Sequence, residues 1–353
     1  MRTKAYLILE NGAVFRGEYF GAKGRAAGEI VFTTGMVGYL ETLTDPGYYG
    51  QFILQTFPLI GNYGVIKADL ESGDVAAKAY IAKYPCQDPS NFRSEGDLDT
   101  FLRERGIIGL CGIDTRALTK IIRDNGVMNG YITDEAPTET ERAAAAAYRI
   151  TGPVAAVSGR SIIREGLGRR VALLDYGMKR GMAEALLVRG CEVWTFPHDT
   201  DAKTIIDSRP DGVLLSGGPG DPADPANKPL VGTISELDKA GLPIFGIGLG
   251  HQLLALGKGY GTKRLKFGHR GANQGVKDKK SGRIFITGQN HGYAVEAEDS
   301  AFVNVNDGTC EGLDYGRAFS VQFHPQGRGA PLDTGFLFDR FVERMDNATN
   351  ERK

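Results

Sequence analysis

The second half of the chain alternates between short apolar runs and runs with helical spacing, and this alternation most constrains the fold. The apolar runs lie at residues 171–175, 191–196, 212–216 and 243–247, and the helical runs at residues 179–189, 234–240 and 249–256. Strands that alternate with helices form a parallel sheet with helices on both faces. Residues 170–353 are therefore predicted to form a doubly wound α/β domain with a mainly parallel sheet. Ligands of such sheets bind beyond the carboxyl ends of the strands.

The first half has a different pattern, rich in glycine and aromatic residues, which predicts a mixed β/α domain over residues 1–150. Apolar runs at 6–10 and 13–20 are joined by Asn11-Gly12, a pair that favours a two-residue hairpin turn. Helical spacing occurs at residues 98–105 and 115–124, and an alanine run at 143–147. Residues 151–169 are rich in Gly, Ser and Arg and are predicted to be a linker.

Composition narrows the class of partner. The net charge of −1 gives no basic field for nucleic acid or an anionic membrane, so neither is an expected partner. No apolar run approaches the roughly 20 residues that span a bilayer.

The cysteines show no CxxC spacing, so neither a metal site nor a disulfide framework is predicted. A cytoplasmic location is expected by default. The cysteines are Cys86, Cys111, Cys191 and Cys310.

Two glycine-rich loops follow predicted strands of the second half. In residues 215–222, Leu-Ser-Gly-Gly-Pro-Gly-Asp-Pro, the glycines let backbone N–H groups approach a ligand, although such a run is also common in simple turns. Residues 245–252, Phe-Gly-Ile-Gly-Leu-Gly-His-Gln, have the form of a nucleophile elbow, a sharp strand-to-helix turn. The central residue is Gly248, which has no side chain to attack a substrate. Taken alone, this loop is better interpreted as an ordinary glycine-rich strand–helix connection.

Two polar loops complete the set. Residues 289–293 are predicted to be a turn after a strand at 283–287, and residues 322–326 follow the apolar run 318–321. His324 and Gln326 lie two apart, so they are expected to point to one side and interact. A single histidine is more often structural than catalytic, but three of the five histidines fall in these loops or in the elbow.

Together the four loops resemble the class I glutamine amidotransferase domain. In that family the elbow reads Gly-Ile-Cys-Leu-Gly-His-Gln and the last loop reads Phe-His-Pro-Glu. The cysteine attacks the amide carbon of glutamine, the histidine transfers protons, and the glutamate orients the histidine.

The N-terminal half resembles the small subunit of carbamoyl phosphate synthase. The matching blocks of this half are residues 33–39, 41–46, 58–64 and 111–116. Residues 267–273, in the second half, are similar to a further block of the family, so the resemblance covers nearly the whole chain in order. It implies that the first domain docks a large subunit that uses ATP and Mg²⁺, while this chain needs no cofactor. Ammonia from L-glutamine would pass by an enclosed route to the large subunit, and the product would serve arginine and pyrimidine synthesis.

The resemblance also implies a glutamine pocket. The backbone of Gly218 and Leu249 would hold the oxyanion, and Gln252 and Asn290 would hydrogen-bond the amino-acid end of glutamine. The implied pocket positions are Gly47, Gly218, Gly220, Leu249, Gln252, Asn290, Gly292 and Tyr293.

Three departures fall on the chemistry. Gly248 stands in place of the cysteine, Gln326 in place of the glutamate, and Gly47 in place of a serine that contacts glutamine, whereas His324 is retained. Without a thiol no thioester can form, and an amide cannot stabilise an imidazolium as a carboxylate does. The expectation is a small chain that has lost its glutaminase activity and depends on ammonia.

Other interpretations stay open at this point. The chain could be a non-catalytic glutamine-sensing or regulatory module, or an active glutaminase with an unrecognised nucleophile. Cys191 and Cys310 are the only cysteines of the second half, and neither lies at a predicted elbow. An engineered knock-out would usually change one residue to serine or alanine, so three changes favour a natural loss.

Overall fold

The computed structural model describes residues 3–351, which divide into two compact units. The first unit ends at Thr151 and the second begins at Gly152. Within that described range no helix has both the length and the apolar character to cross a membrane.

The first unit is built on a closed barrel with the strand order β1-β2-β8-β6-β4-β3-β9. Its centre is lined by buried side chains such as Ile53 and Tyr80, whose parallel strands β4 and β6 pair directly. This confirms the mixed β/α prediction, although the barrel closure was not predicted. The elements are β1 Lys4–Leu9, β2 Val14–Gly21, β3 Ala26–Thr33, α1 Tyr39–Leu43, β4 Gln51–Gln55, β5 Leu59–Ile60, β6 Ala79–Ala82, β7 Tyr84–Pro85, α2 Leu98–Glu104, β8 Ile108–Cys111, α3 Thr115–Asn125, β9 Met128–Thr133 and α4 Glu139–Ala147.

The predicted hairpin of β1 and β2 is confirmed, but its turn is one residue longer than expected. The Leu9 N–H donates to Ala13 O at 2.9 Å, so Glu10, Asn11 and Gly12 form the loop. Gly12 has a φ of 90°, as in hairpins whose turn is followed by a left-handed glycine.

The second unit contains a sheet with the order β10-β12-β11-β13-β14-β19-β18-β17-β15-β16. Strands β12, β11, β13, β14 and β19 are mutually parallel, which confirms the doubly wound core. The remaining strands extend the sheet in antiparallel pairs, an extension that the sequence did not predict. The elements are α5 Pro153–Val157, β10 Ile163–Gly166, β11 Arg169–Asp175, α6 Arg180–Leu187, β12 Cys191–Pro197, α7 Ala202–Asp207, β13 Gly212–Leu215, α8 Lys228–Lys239, β14 Ile244–Ile247, α9 Leu249–Gly257, β15 Gly261–Asp278, β16 Ile284–Glu296, β17 Phe302–Asn304, β18 Cys310–Asp314, β19 Ala318–Val321 and α10 Phe336–Glu351.

Successive residues of the parallel strands point to opposite, fully covered faces. Val171 and Leu173 pack with side chains of α6 and α10, whereas Ala172 and Leu174 pack with side chains of α7, α8 and α9. Burial on both faces explains why these strands read as continuous apolar runs. It also leaves the carboxyl edge of the sheet as the place where loops converge.

The segment 151–169 was expected to be a linker, but its residues from Gly152 onward belong to the second unit and contain α5 and β10. β10 pairs antiparallel with β12 at the edge of the sheet, from Ile163 opposite Thr195 to Gly166 opposite Glu192. All four β10 residues are exposed, so the strand is held by backbone pairing and lacks the apolar pattern that sequence reasoning detects.

Candidate functional site

The elbow between β14 and α9 keeps the strained geometry of a nucleophile turn. Gly248 has φ 57° and ψ −112° and precedes the first turn of α9. Its N–H donates to Val321 O at 2.9 Å, which ties the elbow to the end of β19. A residue with a side chain would hold this conformation at a cost of about 1–3 kcal/mol, whereas glycine adopts it freely.

Space at the elbow distinguishes Gly248 from the glycines on either side. A Cβ at Gly246 would lie 2.8 Å from Gly250 O, and one at Gly250 would lie 2.4 Å from Leu215 O, so packing requires glycine at both positions. A Cβ at Gly248 would meet nothing nearer than Gly217 Cα at 3.4 Å. The site therefore has room for a side chain at the central position of the elbow.

The loop after β13 lies directly against the elbow. The Gly250 N–H donates to Ser216 O at 2.9 Å, and the Tyr176 N–H donates to Ser216 Oγ at 2.9 Å. A Cβ at Gly218 would lie 2.1 Å from Tyr176 O and 3.0 Å from Leu249 Cδ2, so Gly218 sits beside Leu249 and only glycine fits.

Two further positions of the implied pocket are Gly220, which belongs to the same loop, and Leu249, which begins α9. Gly220 has a φ of 95°, and a Cβ there would lie 2.5 Å from Pro153 Cγ, so both conformation and packing select glycine. Leu249 opens α9, and N–H groups in the first turn of a helix have no acceptor within the helix. The oxyanion role of Gly218 and Leu249 stays a prediction.

His324 faces the same loop from the end of β19. A Cβ at Gly217 would lie 3.7 Å from His324 Cε1, and the His324 N–H donates to Gly288 O at 3.0 Å. Its side chain is buried. Gly217 therefore lies close both to Gly248 in the elbow and to the side chain of His324.

The expected interaction between His324 and Gln326 is not formed. Gln326 is only 7% exposed, and neither its Nε2 nor its Oε1 has a hydrogen-bond partner among residues 3–351. Its Cγ lies 3.1 Å from the position a Cβ would take at Gly181, so the side chain packs beside α6. An unpaired buried amide costs about 1–3 kcal/mol. The position expected to hold the triad acid is therefore occupied by an amide that has no hydrogen-bond partner within residues 3–351.

The prediction of a turn at residues 289–293 is wrong, because these residues lie within β16. β15 pairs with them in the register Arg270 opposite Asn290 and His269 opposite His291. The register shifts between Arg264 and His269, so a bulge of β15 lies opposite Gly292. The polar and glycine content of this bulged strand produced the turn signal.

Gln252 joins three elements of the site. Its Nε2 donates to Tyr293 O at 2.9 Å in β16 and to Gln322 Oε1 at 2.9 Å after β19. Both Nε2 hydrogens are therefore engaged within the protein. Any hydrogen bond from Gln252 to the amino-acid end of glutamine would have to use Oε1 or follow a rearrangement. Asn290 and Gly292 lie on the same strand as Tyr293.

Gly47 belongs to the first unit, in a single 3₁₀ turn at Pro46–Tyr48. Its N–H donates to Asp45 Oδ1 at 2.8 Å, which caps the turn. A serine at this position would add a hydroxyl to the turn.

His251, in the elbow motif, is a structural residue. It is fully buried, its Nδ1 lies 2.8 Å from Ser320 Oγ, and burial lowers its pKa to about 3. The imidazole is thus neutral at physiological pH and fixes α9 against β19.

Sequence reasoning missed a buried polar network beside the pocket strand. Glu311, with no exposed surface, accepts from Gln289 Nε2 at 3.0 Å and Asn304 Nδ2 at 3.1 Å. His269 Nδ1 lies 3.4 Å from Glu311, and His291 Nε2 lies 3.0 Å from Gln289 Oε1. The only sequence feature that could have indicated this network is that His269 and His291 lie in the polar segments 267–273 and 289–293.

The charges of this network are mutually compensating. Burial raises the pKa of Glu311, and the hydrogen bond from His269 acts in the opposite direction. Burial alone would lower the pKa of His269, but Glu311 and Asp307 outweigh it and raise the pKa. Ligand atoms of His269, His291 and Glu311 lie within 4.8 Å of one another, close enough to hold a cation. Since these atoms already interact with protein partners, we interpret the group as a scaffold that fixes β16.

The two cysteines of the second unit do not lie at the elbow. Cys191 begins β12 and Cys310 begins β18, and burial raises the pKa of each thiol. A raised pKa disfavours the reactive thiolate. Neither residue has the setting of a nucleophile.

Comparison with known proteins agrees with this architecture. The family model "Carbamoyl-phosphate synthase small chain, CPSase domain" matches residues 7–132, and the model "Glutamine amidotransferase class-I" matches residues 172–344. The chain is 46% identical to a carbamoyl phosphate synthase small chain of Clostridium perfringens over 350 residues, which cover 96% of this chain and 99% of that protein.

A second small chain gives a similar sequence identity. A carbamoyl phosphate synthase pyrimidine-specific small chain of Halalkalibacterium halodurans is 44% identical over 363 residues, with 98% of each chain covered. A solved glutamine amidotransferase of Thermotoga maritima aligns at 19% identity with a TM-score of 0.37, covering 52% of this chain and 83% of that one.

Proposed function

Because the chain belongs to the carbamoyl phosphate synthase small chain family, with a class I glutamine amidotransferase domain, we propose that it is a small subunit that no longer hydrolyses glutamine. It would support carbamoyl phosphate synthesis from free ammonia. The observation that carries this proposal is Gly248, which holds the elbow conformation without a nucleophile.

The chemistry follows from the groups that remain at the site. Glutamine hydrolysis in this family passes through a thioester, which requires a thiol at position 248. Loss of a triad nucleophile reduces turnover by on the order of a million-fold. The acid position adds a second deficit, since the Gln326 amide is buried without a hydrogen-bond partner among residues 3–351. His324, the remaining member, has no nucleophile to deprotonate.

Assembly is proposed to survive this loss. The first unit is a closed barrel that matches the small-chain model over residues 7–132. We propose that this unit docks a large subunit, which supplies the ATP and Mg²⁺ chemistry. The complex would serve arginine and pyrimidine synthesis in the cytoplasm.

A second candidate is a glutamine-sensing module, favoured by one observation. Packing fixes the loops of the implied glutamine pocket without any contribution from a nucleophile, since a Cβ at Gly218 would lie 2.1 Å from Tyr176 O. A sensor needs glutamine to bind and a partner to respond, but it needs no nucleophile.

Reconstitution separates the candidates. The purified chain, mixed with a large subunit from the same organism, should form a complex on gel filtration and make carbamoyl phosphate from ammonium but not from glutamine. The control is the same large subunit without this chain. Glutamine-dependent ammonia release by the pure chain would overturn the proposal, and failure to associate at micromolar concentration would favour the sensor.

A further inference from the structure

The buried polar network around Glu311 contains one contact that its hydrogen bonds do not explain. His291 Nδ1 lies 2.8 Å from Tyr293 O, and His291 Nε2 lies 3.0 Å from Gln289 Oε1. Both nitrogens therefore face oxygen atoms that only accept hydrogen bonds. A neutral imidazole has one N–H, so the other nitrogen directs its lone pair at an acceptor. One of the two contacts is repulsive unless a positive charge is added.

Rearrangements within the protein relieve this repulsion only at a cost. Rotating the Gln289 amide would place its oxygen against Glu311 Oε2, which accepts from Gln289 Nε2 at 3.0 Å. A second proton on His291 would create an imidazolium in a buried position, which desolvation disfavours. A metal ion at His291 Nε2 would instead use the lone pair, and the other nitrogen would still donate to Tyr293 O.

Two neighbouring side chains offer further ligand atoms at suitable separations. Glu311 Oε1 is 3.4 Å from His269 Nδ1 and 3.9 Å from His291 Nε2, and ligand atoms of all three residues lie within 4.8 Å of one another. In a tetrahedral zinc site with bonds of about 2.0–2.1 Å, neighbouring ligand atoms are roughly 3.3 Å apart. The three side chains therefore need only modest shifts to bind one ion.

The surrounding hydrogen bonds have the pattern that orients the ligands of metal sites. His269 Nε2 lies 2.9 Å from Asp307 Oδ2, and a metal-bound histidine commonly donates its other N–H to a carboxylate. His291 Nδ1 faces a backbone carbonyl, which serves the same purpose. Glu311 accepts from Gln289 through Oε2, so its Oε1 is the oxygen that lies near both histidines.

We propose that His269, His291 and Glu311 bind one zinc ion. Gln289 Oε1, which lies 3.0 Å from His291 Nε2, would be the fourth ligand. Two imidazoles and a carboxylate form a set that zinc favours, whereas calcium and magnesium prefer oxygen atoms alone. The ion would replace the proton between His269 and Glu311. The Asn304 amide, which donates to Glu311 Oε1 at 3.1 Å, would release that oxygen.

The zinc ion would join three strands at the centre of the network. Its ligands come from β15, β16 and β18, which are distant along the chain, so the site has no compact sequence motif. The ion would therefore fix β16, the strand that carries the implied pocket positions Asn290 and Gly292. No residue of the elbow takes part, so the inference is independent of the proposed loss of glutamine hydrolysis.

The test measures zinc binding by the whole purified chain. The protein is treated with a chelator, dialysed and titrated with zinc chloride in a calorimeter, and bound zinc is counted by inductively coupled plasma mass spectrometry. We expect one zinc ion per chain. The unfolding temperature should rise by about 5–10 °C when free zinc is about 100 times the Kd, because the ion binds the folded state.

Substitutions assign the binding to this network. His291→Ala and Glu311→Gln should each lose the bound zinc ion and the rise in unfolding temperature. Asp307→Asn should weaken zinc binding by about 10–100-fold, because this carboxylate orients His269 without touching the ion. His198→Ala is the matched control, since it removes a histidine beside Asp199 and outside the network, and it should bind zinc like the parent.

Cobalt substitution in the parent keeps the test decisive if a ligand variant does not fold. Tetrahedral cobalt(II) with nitrogen and oxygen ligands absorbs strongly in the visible range, and thiolate ligands add an intense band in the near ultraviolet. We expect the visible absorption without the thiolate band. The absence of zinc binding by the folded parent at micromolar concentration overturns the inference. Unchanged zinc binding by either folded ligand variant, or a thiolate band, overturns it as well.

Discussion

Placing a thiol at the elbow tests whether the proposed loss of glutamine hydrolysis is due to the missing catalytic side chains alone. In Gly248→Cys the new Cβ would lie 3.4 Å from Gly217 Cα, an ordinary contact, so no steric penalty is expected. The φ of 57° should still cost about 1–3 kcal/mol of unfolding free energy. Gly248→Ala carries the same backbone strain without the thiol, so the two variants should be destabilised equally in urea unfolding.

The activity of the single variant should be low, because His324 would lack a carboxylate behind it. Replacing the acid of a serine protease triad by its amide lowers kcat by on the order of 10⁴-fold, which sets the scale of the remaining deficit. Adding Gln326→Glu should recover more than the sum of the single changes, since triad members act as a unit. Gly47→Ser should then mainly lower the KM for glutamine, because it supplies binding and not bond-making.

The assay is ammonia release from glutamine by the single, double and triple variants, with their folds verified by circular dichroism. Mass spectrometry of acid-quenched samples should detect a glutamyl thioester on Cys variants alone. If the folded triple variant is as inactive as the parent, the loss involves more than these positions and the reasoning fails. If Gly248→Cys is much less stable than Gly248→Ala, the space at the elbow is smaller than the backbone geometry indicates.

Three further predictions concern stability. Gly250→Ala should destabilise by about 3 kcal/mol or more through overpacking against Leu215 O, while Gly232→Ala should not, as urea unfolding would show. Gln326→Met should raise the unfolding free energy by about 1 kcal/mol by removing an unpaired amide, and a decrease would mean that the amide has a partner in solution. Burial lowers the pKa of His251 to about 3 from its usual 6.5, so the unfolded state binds the proton more tightly. The free energy of unfolding should therefore fall by about 1.4 kcal/mol for each pH unit between 6.5 and 3, and less steeply in His251→Asn.

The parallel core could be predicted from sequence because its strands are buried on both faces and read as continuous apolar runs. The elbow could be placed for the same reason, since β14 and α9 bracket Gly248 closely. The barrel closure could not, because it depends on pairs distant in sequence, such as β1 with β9. β10 was missed because its pairing is entirely backbone and its side chains are exposed.

The site was harder to predict where the tertiary structure decides the role of a side chain. Two histidines in similar motifs have different environments, since His251 is fully buried against Ser320 whereas His324 faces the elbow loop. The expected contact of His324 with Gln326 failed because the side chain of Gln326 packs beside Gly181. Motif spacing places residues in a loop but does not fix their rotamers.

The elbow at Gly248 is fixed by packing that does not depend on a nucleophile. Gly246 and Gly250 are fixed by contacts of 2.8 Å and 2.4 Å that any Cβ would make, and the Gly248 N–H is held by Val321 O. The turn is therefore enforced by the packing of β14, α9 and β19, which the fold needs regardless of catalysis. Glycine at position 248 removes the strain that a cysteine would impose there. Under the proposal that this chain does not hydrolyse glutamine, stability favours Gly248, while the architecture around it has no comparable reason to change.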